Sequence, residues 1–541
     1  MKKIFFIVCL WMLAFSLFGC STFTQSGSES TKEETAKSKK KKDKKEKGGG
    51  KKKNKKEKKE EEDILPIAVY TETQLKEEFK EGYDWETSES GVFSSLDRFI
   101  WEDTGYPYLE EILETENRKA EERNLAWSEE AMRVIREEED QFYSMGDSFY
   151  LERADSRIFG FINMEEESNQ EMENIRVKSY NFLPESGEKL LLRDFVSDYD
   201  ALAERIVKGI REIYQEPYQK AGEERPFNEA EAREYILNAL ETIDDEENLY
   251  AMSWVMDETG LLFGFYNLKD IGATELYYSP IRVQIPYHEL EGILKEEALP
   301  YTELPQEYIT EILPYTEYVL ESGGEEIRLL VEPVKEEVES YVYESGKVNI
   351  SVNKNQFLTQ DTDYGTPPNK IVLAKRGGEF YLYMDFSLES YSEIRAYRLT
   401  PEGAQELEMI EGSFAYAPTD IDMVLVEHTV WLYGTSYVYK NFRVGEEGGL
   451  EDLGDEYYGY NFYRDIINRF PVEVDVFEDQ FDTEASKETL PELTKLRQYR
   501  TDGENFVDFL TEDGRVIRLY KDQSFDGKSD YDAFYGIYYA G

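Results

Sequence analysis

The sequence predicts an α+β domain, then a β-rich domain built as a sandwich or part of a propeller, then a small β-barrel at the C-terminal end. Three observations carry this. Helix-spaced and strand-like segments alternate up to about residue 298. Beyond it, short aromatic strands recur between glycine turns. The 541-residue chain also holds 41 Tyr, 30 Phe and 6 Trp, enough aromatic area for substantial cores despite a net charge of −53.

The chain opens with Lys2 and Lys3, an apolar run from Ile4 to Phe18, and then Gly19-Cys20-Ser21. A charged start, a short apolar stretch and a small residue before the cut describe a secretory signal over residues 1–19. The run is shorter than the roughly 20 residues that span a membrane. Leu17-Phe18-Gly19-Cys20 resembles the bacterial lipobox. That resemblance implies that Cys20 receives a diacylglyceryl group and becomes the N-terminus, anchoring the chain to the extracytoplasmic face of the cell membrane. The only other cysteine, Cys9, lies inside the signal, so no disulfide framework or cysteine nucleophile is expected in the exported body.

Residues 20–62 then read as the lipidated cysteine and a disordered tether. Lys39–Lys42, Gly48-Gly49-Gly50 and Lys51-Lys52-Lys53 offer no apolar pattern to offset the entropy of ordering. The tether is net positive while the whole chain is −53, so the body is more acidic than the total. Such a body repels nucleic acid, whose phosphates require clustered Lys and Arg, and steers cationic partners toward itself.

Within 63–298, Tyr108-Leu109 with Ile112-Leu113, and Trp127, Ala131, Val134 and Ile135, have helical spacing. Ser197 with Asp200 fits a capping box ahead of Leu202, Ile206 and Ile210, and Asn228 with Glu231 repeats the signal ahead of Ile236 and Leu240. Val177–Phe182 and Leu190–Leu192 read as strands around a turn at Pro184–Gly187. Leu249–Met256 and Leu261–Tyr266 read as a hairpin, Arg282–Ile285 as a strand, and Leu290, Ile293 and Leu294 as a short helix. The β-rich domain, 299–469, contains strands at Tyr341–Tyr343, Lys347–Val352, Ile371–Leu373, Phe380–Phe386, Ile394–Leu399, Met423–Val426, Val430–Tyr433 and Tyr437–Val444. The last part, 470–541, compresses Val472–Phe477, Leu490–Tyr499, Phe506–Leu510, Val516–Tyr520 and Phe534–Tyr539 into a short span, as in an SH3-like β-barrel.

Three stretches of the first domain together resemble a known extracytoplasmic family. They are Ser179-Tyr180-Asn181-Phe182 through Asp194-Phe195, Gly260-Leu261-Leu262-Phe263 with Phe265-Tyr266, and Val283-Gln284-Ile285-Pro286-Tyr287 with Leu290. They are similar to the domain shared by the lysozyme-sensing anti-sigma factor RsiV and the non-catalytic part of the peptidoglycan deacetylase PdaC, over roughly residues 100–298. The resemblance implies an RsiV-like α+β domain and recognition of a cationic protein such as lysozyme. Met164-Glu165-Glu166-Glu167-Ser168 stands where family members often carry a Gly-Gly-Ala-His-like segment. No anti-sigma segment and no deacetylase domain is read in the sequence. The later β-rich region resembles that of clostridial lipoproteins.

Catalytic patterns are thin. His288 and His428 are the two histidines, and His288-Glu289-Leu290-Glu291-Gly292 lacks the second histidine of a zinc motif. His288 reads as flanking a surface helix and His428 as a hairpin residue between two strands. No cofactor or metal site is expected. Asp522, Asp526, Asp530 and Asp532 miss the spacing of a calcium loop, and Tyr457-Tyr458-Gly459-Tyr460 offers rings that could stack on sugars. The expected function is therefore non-catalytic: a lipid-anchored cell-envelope binding or sensing protein for a cationic protein or peptidoglycan. A carboxylate-based hydrolase and an acidic structural spacer are the alternatives.

Overall fold

The computed structural model describes residues 64–539, apart from 81–89, 102, 138–141, 170–172, 224, 226, 246–251, 267–279, 323, 339–340, 361–365, 389–390, 455–457, 461–464, 479–483, 512, 526 and 538. Five strands, β1 (Tyr70–Phe79), β2 (Gly91–Ile100), β3 (Phe142–Ala154), β4 (Phe159–Ser168) and β5 (Glu173–Phe182), lie side by side in chain order. Only β2 and β3 are parallel. A parallel pair requires a long crossover, and the 31-residue helix Pro107–Glu137 supplies it. The two helical stretches read from sequence are thus one element. Its buried line includes Leu109, Leu113, Ala120, Ala131 and Ile135, with Asn117 among them. Asn117 is accommodated because its Oδ1 accepts from Phe99 N at 2.7 Å and its Nδ2 donates to Phe99 O at 2.9 Å. The helix side chain thereby satisfies backbone groups of β2 beyond the end of its pairing with β3 at Leu96.

A second, antiparallel sheet of β6 (Met252–Met256), β7 (Gly260–Phe265) and β8 (Ile281–Pro286) packs on the first. Period-two alternation divides the faces. Phe159 and Phe161 of β4 face the long helix, whereas Ile162 and Met164 meet Val255 and Leu262 of the second sheet. Trp254, Phe263 and Val283 point the other way, onto Leu202, Ile206 and Ile210 of helix Tyr199–Ile210 and Ile236 and Leu240 of helix Glu229–Thr242. The result is four layers: helix, sheet, sheet, helices. Each such Leu, Ile or Phe removed from water contributes roughly 1.5–3 kcal/mol.

Asn228 caps its helix, accepting from the amides of Ala230 and Glu231. The cap of the earlier helix is Asp198, which accepts from Ala201 N, and Ser197 instead donates to Ile293 O at 2.8 Å. Leu190–Leu192 is not a strand, because Leu192 opens the single-turn helix Leu192–Phe195. No helix carries Leu290–Leu294. A 3₁₀ turn at Tyr287–Glu289 ends there, and Leu294 bridges to Val196.

The β-rich part is a stack of sheets. β9 (Tyr308–Glu311), β10 (Glu317–Ser322), β11 (Glu325–Val338), β12 (Tyr341–Val352), β13 (Asn355–Leu358), β14 (Lys370–Arg376), β15 (Glu379–Leu388), β16 (Tyr391–Thr400) and β17 (Gly403–Glu411) form two sheets, β10-β11-β12-β13 and β17-β16-β15-β14-β9. Leu329, Val331, Val348 and Ile350 of the first pack on Leu373, Leu382, Met384 and Phe386 of the second. The other face of that second sheet is buried too, with Val372, Ala374, Tyr381 and Tyr383 meeting Val424, Val426 and Val444. The two strands expected in 341–352 are one, β12.

The final sheet contains β18 (Ser413–Phe414), β19 (Val424–Val430), β20 (Ser436–Val444), β21 (Leu450–Asp452), β22 (Tyr458–Tyr460), β23 (Asp465–Asn468), β24 (Val472–Phe477), β25 (Ser486–Leu490), β26 (Lys495–Thr501), β27 (Phe506–Leu510), β28 (Val516–Tyr520) and β29 (Phe534–Tyr535). Its main path runs β18-β19-β20-β22-β26-β27-β28-β24-β25. Among the described residues the expected SH3-like barrel does not form. β22 pairs with β20 on one side and β26 on the other, so the last strands extend an open sheet instead of closing on themselves. Val430 and Val438 accordingly share a core with Val474, Val507 and Phe509, on both sides of position 470. The stretch read as one strand at 490–499 is broken at Leu493, whose φ is 64°.

Candidate functional site

The structure gives the sequence-derived candidates unequal standing. Cys20, with the signal and tether, lies outside the described residues. His288 sits in the 3₁₀ turn, and burial lowers its pKa. His428 is not between two strands. It lies within β19, opposite Val438, and the hairpin loop begins after Val430. Burial, and secondarily Lys440, push its pKa down to about 4, so it is neutral in its strand. Nothing brings the two histidines together. Among the C-terminal acids, Asp526 lies outside the described residues. Asp530 Oδ1 accepts from Tyr531 N at 2.8 Å, and Asp532 Oδ2 accepts from Ser529 Oγ at 2.8 Å. These two acids organise the turn around the short helix Asp530–Ala533. Among the described residues, no group of three or more His, Cys, Asp or Glu side chains is arranged to hold a metal ion. Of the tyrosine run, Tyr457 is outside the described residues, and Tyr458 and Tyr460 belong to β22.

Those acids do belong to a feature that the sequence reading missed. The loop Trp431–Thr435 joins β19 to β20, with Tyr433 held at φ 54°. A left-handed conformation is costly for a bulky residue and persists only where its surroundings fix it. Here the Tyr433 ring stands edge-on to Phe509, Phe525 and Phe534 at 6.0–6.2 Å between centroids. Its hydroxyl donates to Tyr520 O at 2.6 Å. Tyr539 donates to Asp530 and is also met by the backbone N–H of Gly434. One end of the last sheet is thus assembled from three separate segments, 431–435, 520–525 and 529–539.

This end leaves rings in solvent. Trp431 is 45% exposed, Tyr531 39% and Tyr539 38%, whereas the Tyr520 ring turns to the opposite face of the sheet, beside Phe506 and Arg518. Below them Tyr433 is buried, and that burial raises its phenol pKa. Exposed rings with a carboxylate at their margin can stack on sugar faces or receive ammonium and guanidinium groups. A sequence signal existed in the unusual density of Tyr and Phe over 520–539, but nothing in it placed Trp431 nearby.

A second locus is a cleft of about 250 Å³, lined by Asp155, Glu258, Glu307, Tyr308 and Ile421 among others. Asp155 accepts from Arg153 Nε at 2.7 Å and from the amides of Arg157 and Ile158. Glu258 is buried, and burial, reinforced by Asp257 and Asp155 against the pull of Arg153, raises its pKa to about 8. Next to it Asp257 accepts from the amides of Thr259 and Gly260 and from Gln284 Nε2, which fixes the β6–β7 turn. A third locus, a cleft of about 320 Å³, lies between Lys208 and Glu212 of the helical segment and Pro286, Tyr315 and Glu317.

No protein-family profile matches the chain. No curated protein matches it either. Two solved structures of the DUF3298 family are similar to part of it. One, from Bacteroides fragilis, is 11% identical, covers 43% of this chain and 97% of its own, with a TM-score of 0.25. The other, from Pseudomonas aeruginosa, is 16% identical, covers 43% and 95%, with a TM-score of 0.24. At these scores the likeness carries no argument about function.

Proposed function

We propose that this chain is a non-catalytic, lipid-anchored binding or sensing protein of the cell envelope, held at the extracytoplasmic face through Cys20. Its first domain is read as RsiV-like, and its partner as a cationic protein such as lysozyme or a wall glycan. The observation that carries the reading is the end of the last sheet where Tyr539 donates to Asp530, with Tyr531 and Tyr539 exposed there and Trp431 exposed on the loop that Tyr433 ties to it. Exposed aromatic rings beside a carboxylate support an interaction surface. The net charge of −53 supports a cationic partner through long-range attraction.

The hydrolase alternative has one feature in its favour, the raised pKa of Glu258 beside Asp155. Apart from open solvent the cleft there admits little more than a water molecule, whereas sites that engulf a small ligand hold roughly 300–1,000 Å³. The binding reading is therefore preferred.

The test uses the full mature chain from Cys20 onward, titrated at low salt with lysozyme and, separately, with soluble peptidoglycan fragments. Saturable binding to one of them, weakened in a Trp431→Ala, Tyr531→Ala double variant, is the expected result. Absence of saturable binding to both overturns the proposal. Labelling of the wild type by a palmitate analogue, lost in Cys20→Ala, tests the anchor.

A further inference from the structure

Three arginines of the α+β part grip the segment that leads into the β-rich stack. Arg153 Nη1 donates to the carbonyls of Asp257 and Tyr301, each at 3.2 Å. Arg157 Nη1 reaches Pro300 O at 2.5 Å and Glu303 Oε2 at 2.6 Å. Arg282 joins Glu152 and Glu311, both at 2.9 Å. Polar contacts of this kind, directed at backbone carbonyls, fix geometry without requiring a large apolar interface.

Glu258 sits against this grip. It occupies the turn between β6 and β7, is 3% exposed, and its Oε2 finds no hydrogen-bond partner among the described residues. Arg153 is fully buried, and its Nη2 likewise finds none. Two polar atoms of opposite tendency are thus buried near each other without pairing, a costly arrangement if both groups are charged. The cleft bordered by Glu258 also touches Pro305, Tyr308, Thr419 and Ile421, so the turn, the connecting segment, β9 and the stretch ahead of β19 meet there.

We propose that Glu258 is a proton-controlled catch: neutral, it lets the β6–β7 turn and segment 299–311 lie closed on each other, and ionised, it draws Arg153 and water toward itself and loosens the hold of Arg153 on Tyr301. The charged and titratable groups facing it are Arg153 and Asp155 at the end of β3, Asp257 in its own turn, Tyr287 after β8 and Tyr308 in β9, with Glu307 at the cleft margin. Asp155 already engages Arg153 Nε, so a second anion finds the guanidinium partly neutralised. The sign follows. The carboxyl pKa lies at 4.5 ordinarily and at about 8 in the fold, so the closed junction is favoured most below the lower value. That advantage fades as pH climbs toward the higher one.

Hydrogen exchange of the full mature chain, corrected for the intrinsic pH dependence of amide exchange, tests this. Between about pH 6 and about pH 9, amides in 299–311 should lose about a hundredfold in protection, while amides of β27 and β28 hold theirs. Glu258→Gln should keep 299–311 protected at both pH values, and Glu307→Gln, which removes the charge at the cleft margin but keeps an oxygen to accept from Gly377 N, should respond as the wild type does. Constant protection in the wild type overturns the proposal, as does a Glu258→Gln variant that still responds. If that variant fails to fold, the wild-type profile decides alone, a progressive loss that levels off near pH 8 supporting the catch and a flat profile removing it.

Discussion

Arg518 and Asp508 stand directly opposite one another on β28 and β27, and the guanidinium engages both carboxylate oxygens, Nε to Oδ1 at 2.6 Å and Nη2 to Oδ2 at 2.8 Å. Arg500 on β26 adds a third contact to Oδ2 at 2.8 Å, and Asp508 is fully buried. The same Arg518 lies 3.6 Å over the Phe506 ring. Removing the carboxylate takes from both guanidinium groups the buried anion that they share. Asp508→Ala should therefore cost about 3–5 kcal/mol, because the loss is that of an uncompensated charge and not of the pair alone. A lower urea midpoint at unchanged slope checks it.

Gly260 tolerates no side chain. A Cβ built there falls 2.1 Å from Ile285 O and 2.8 Å from Pro286 Cα, both backbone atoms of the neighbouring strand. No rotamer change relieves a clash with backbone. Gly260→Ala should destabilise by about 2–3 kcal/mol, read as a fall in Tm, whereas the same change at Gly105, where nothing lies within 4 Å, disturbs only the backbone conformation.

Trp431 separates stability from binding. Nearly half its surface is already in water, so Trp431→Ala should shift unfolding by within about 0.5 kcal/mol. Loss of ligand affinity in that variant, with an unchanged urea midpoint, is the expected pair of results. A large stability loss would instead make the ring part of the core.

His428 gives a distinct acid signature. The unfolded chain takes up a proton near pH 6.5, while burial delays uptake in the fold to about 4. The unfolded state binds more protons within that window, so stability falls as pH drops through it and levels off below. His428→Gln should lack this component. Subtracting its stability-versus-pH curve from that of the wild type isolates the effect, and a featureless difference contradicts it.

Much of the fold was legible where one face of an element is apolar and the other is not. The stripe Leu202, Ile206, Ile210 and the cap at Asn228 stand as read. So do the strands Val472–Phe477, Phe506–Leu510 and Val516–Tyr520. What failed depended on partners distant in sequence. β1 to β4 were not read because their apolar residues are interspersed with Glu, Asp and Ser, which find partners only in the assembled sheet, as Asp97 does with Thr73 and Phe149 N. Ser179 and Asn181 lie between the aromatic residues of their motif. Their side chains complete the edge of β6, with Ser179 Oγ accepting from Trp254 N at 2.8 Å and Asn181 Oδ1 from Met256 N at 3.0 Å. The barrel expectation failed because Leu490–Tyr499 is split at Leu493, Phe534–Tyr539 is a strand only over Phe534–Tyr535, and closure is decided by a three-residue strand, Tyr458–Tyr460. The aromatic end was hidden for the same reason, since it gathers segments nearly a hundred residues apart.

The sheet made of β9 and β14–β17 is covered on both sides. Its inner strands leave the ribosome well before the residues that shelter Tyr381 and Tyr383. Until positions 424–450 arrive, a broad oily surface faces water, and the chain is then at its most prone to clumping. Cutting the gene anywhere after position 411 and before that cover is complete should yield insoluble product, so fragments for crystallisation are better taken from the α+β end.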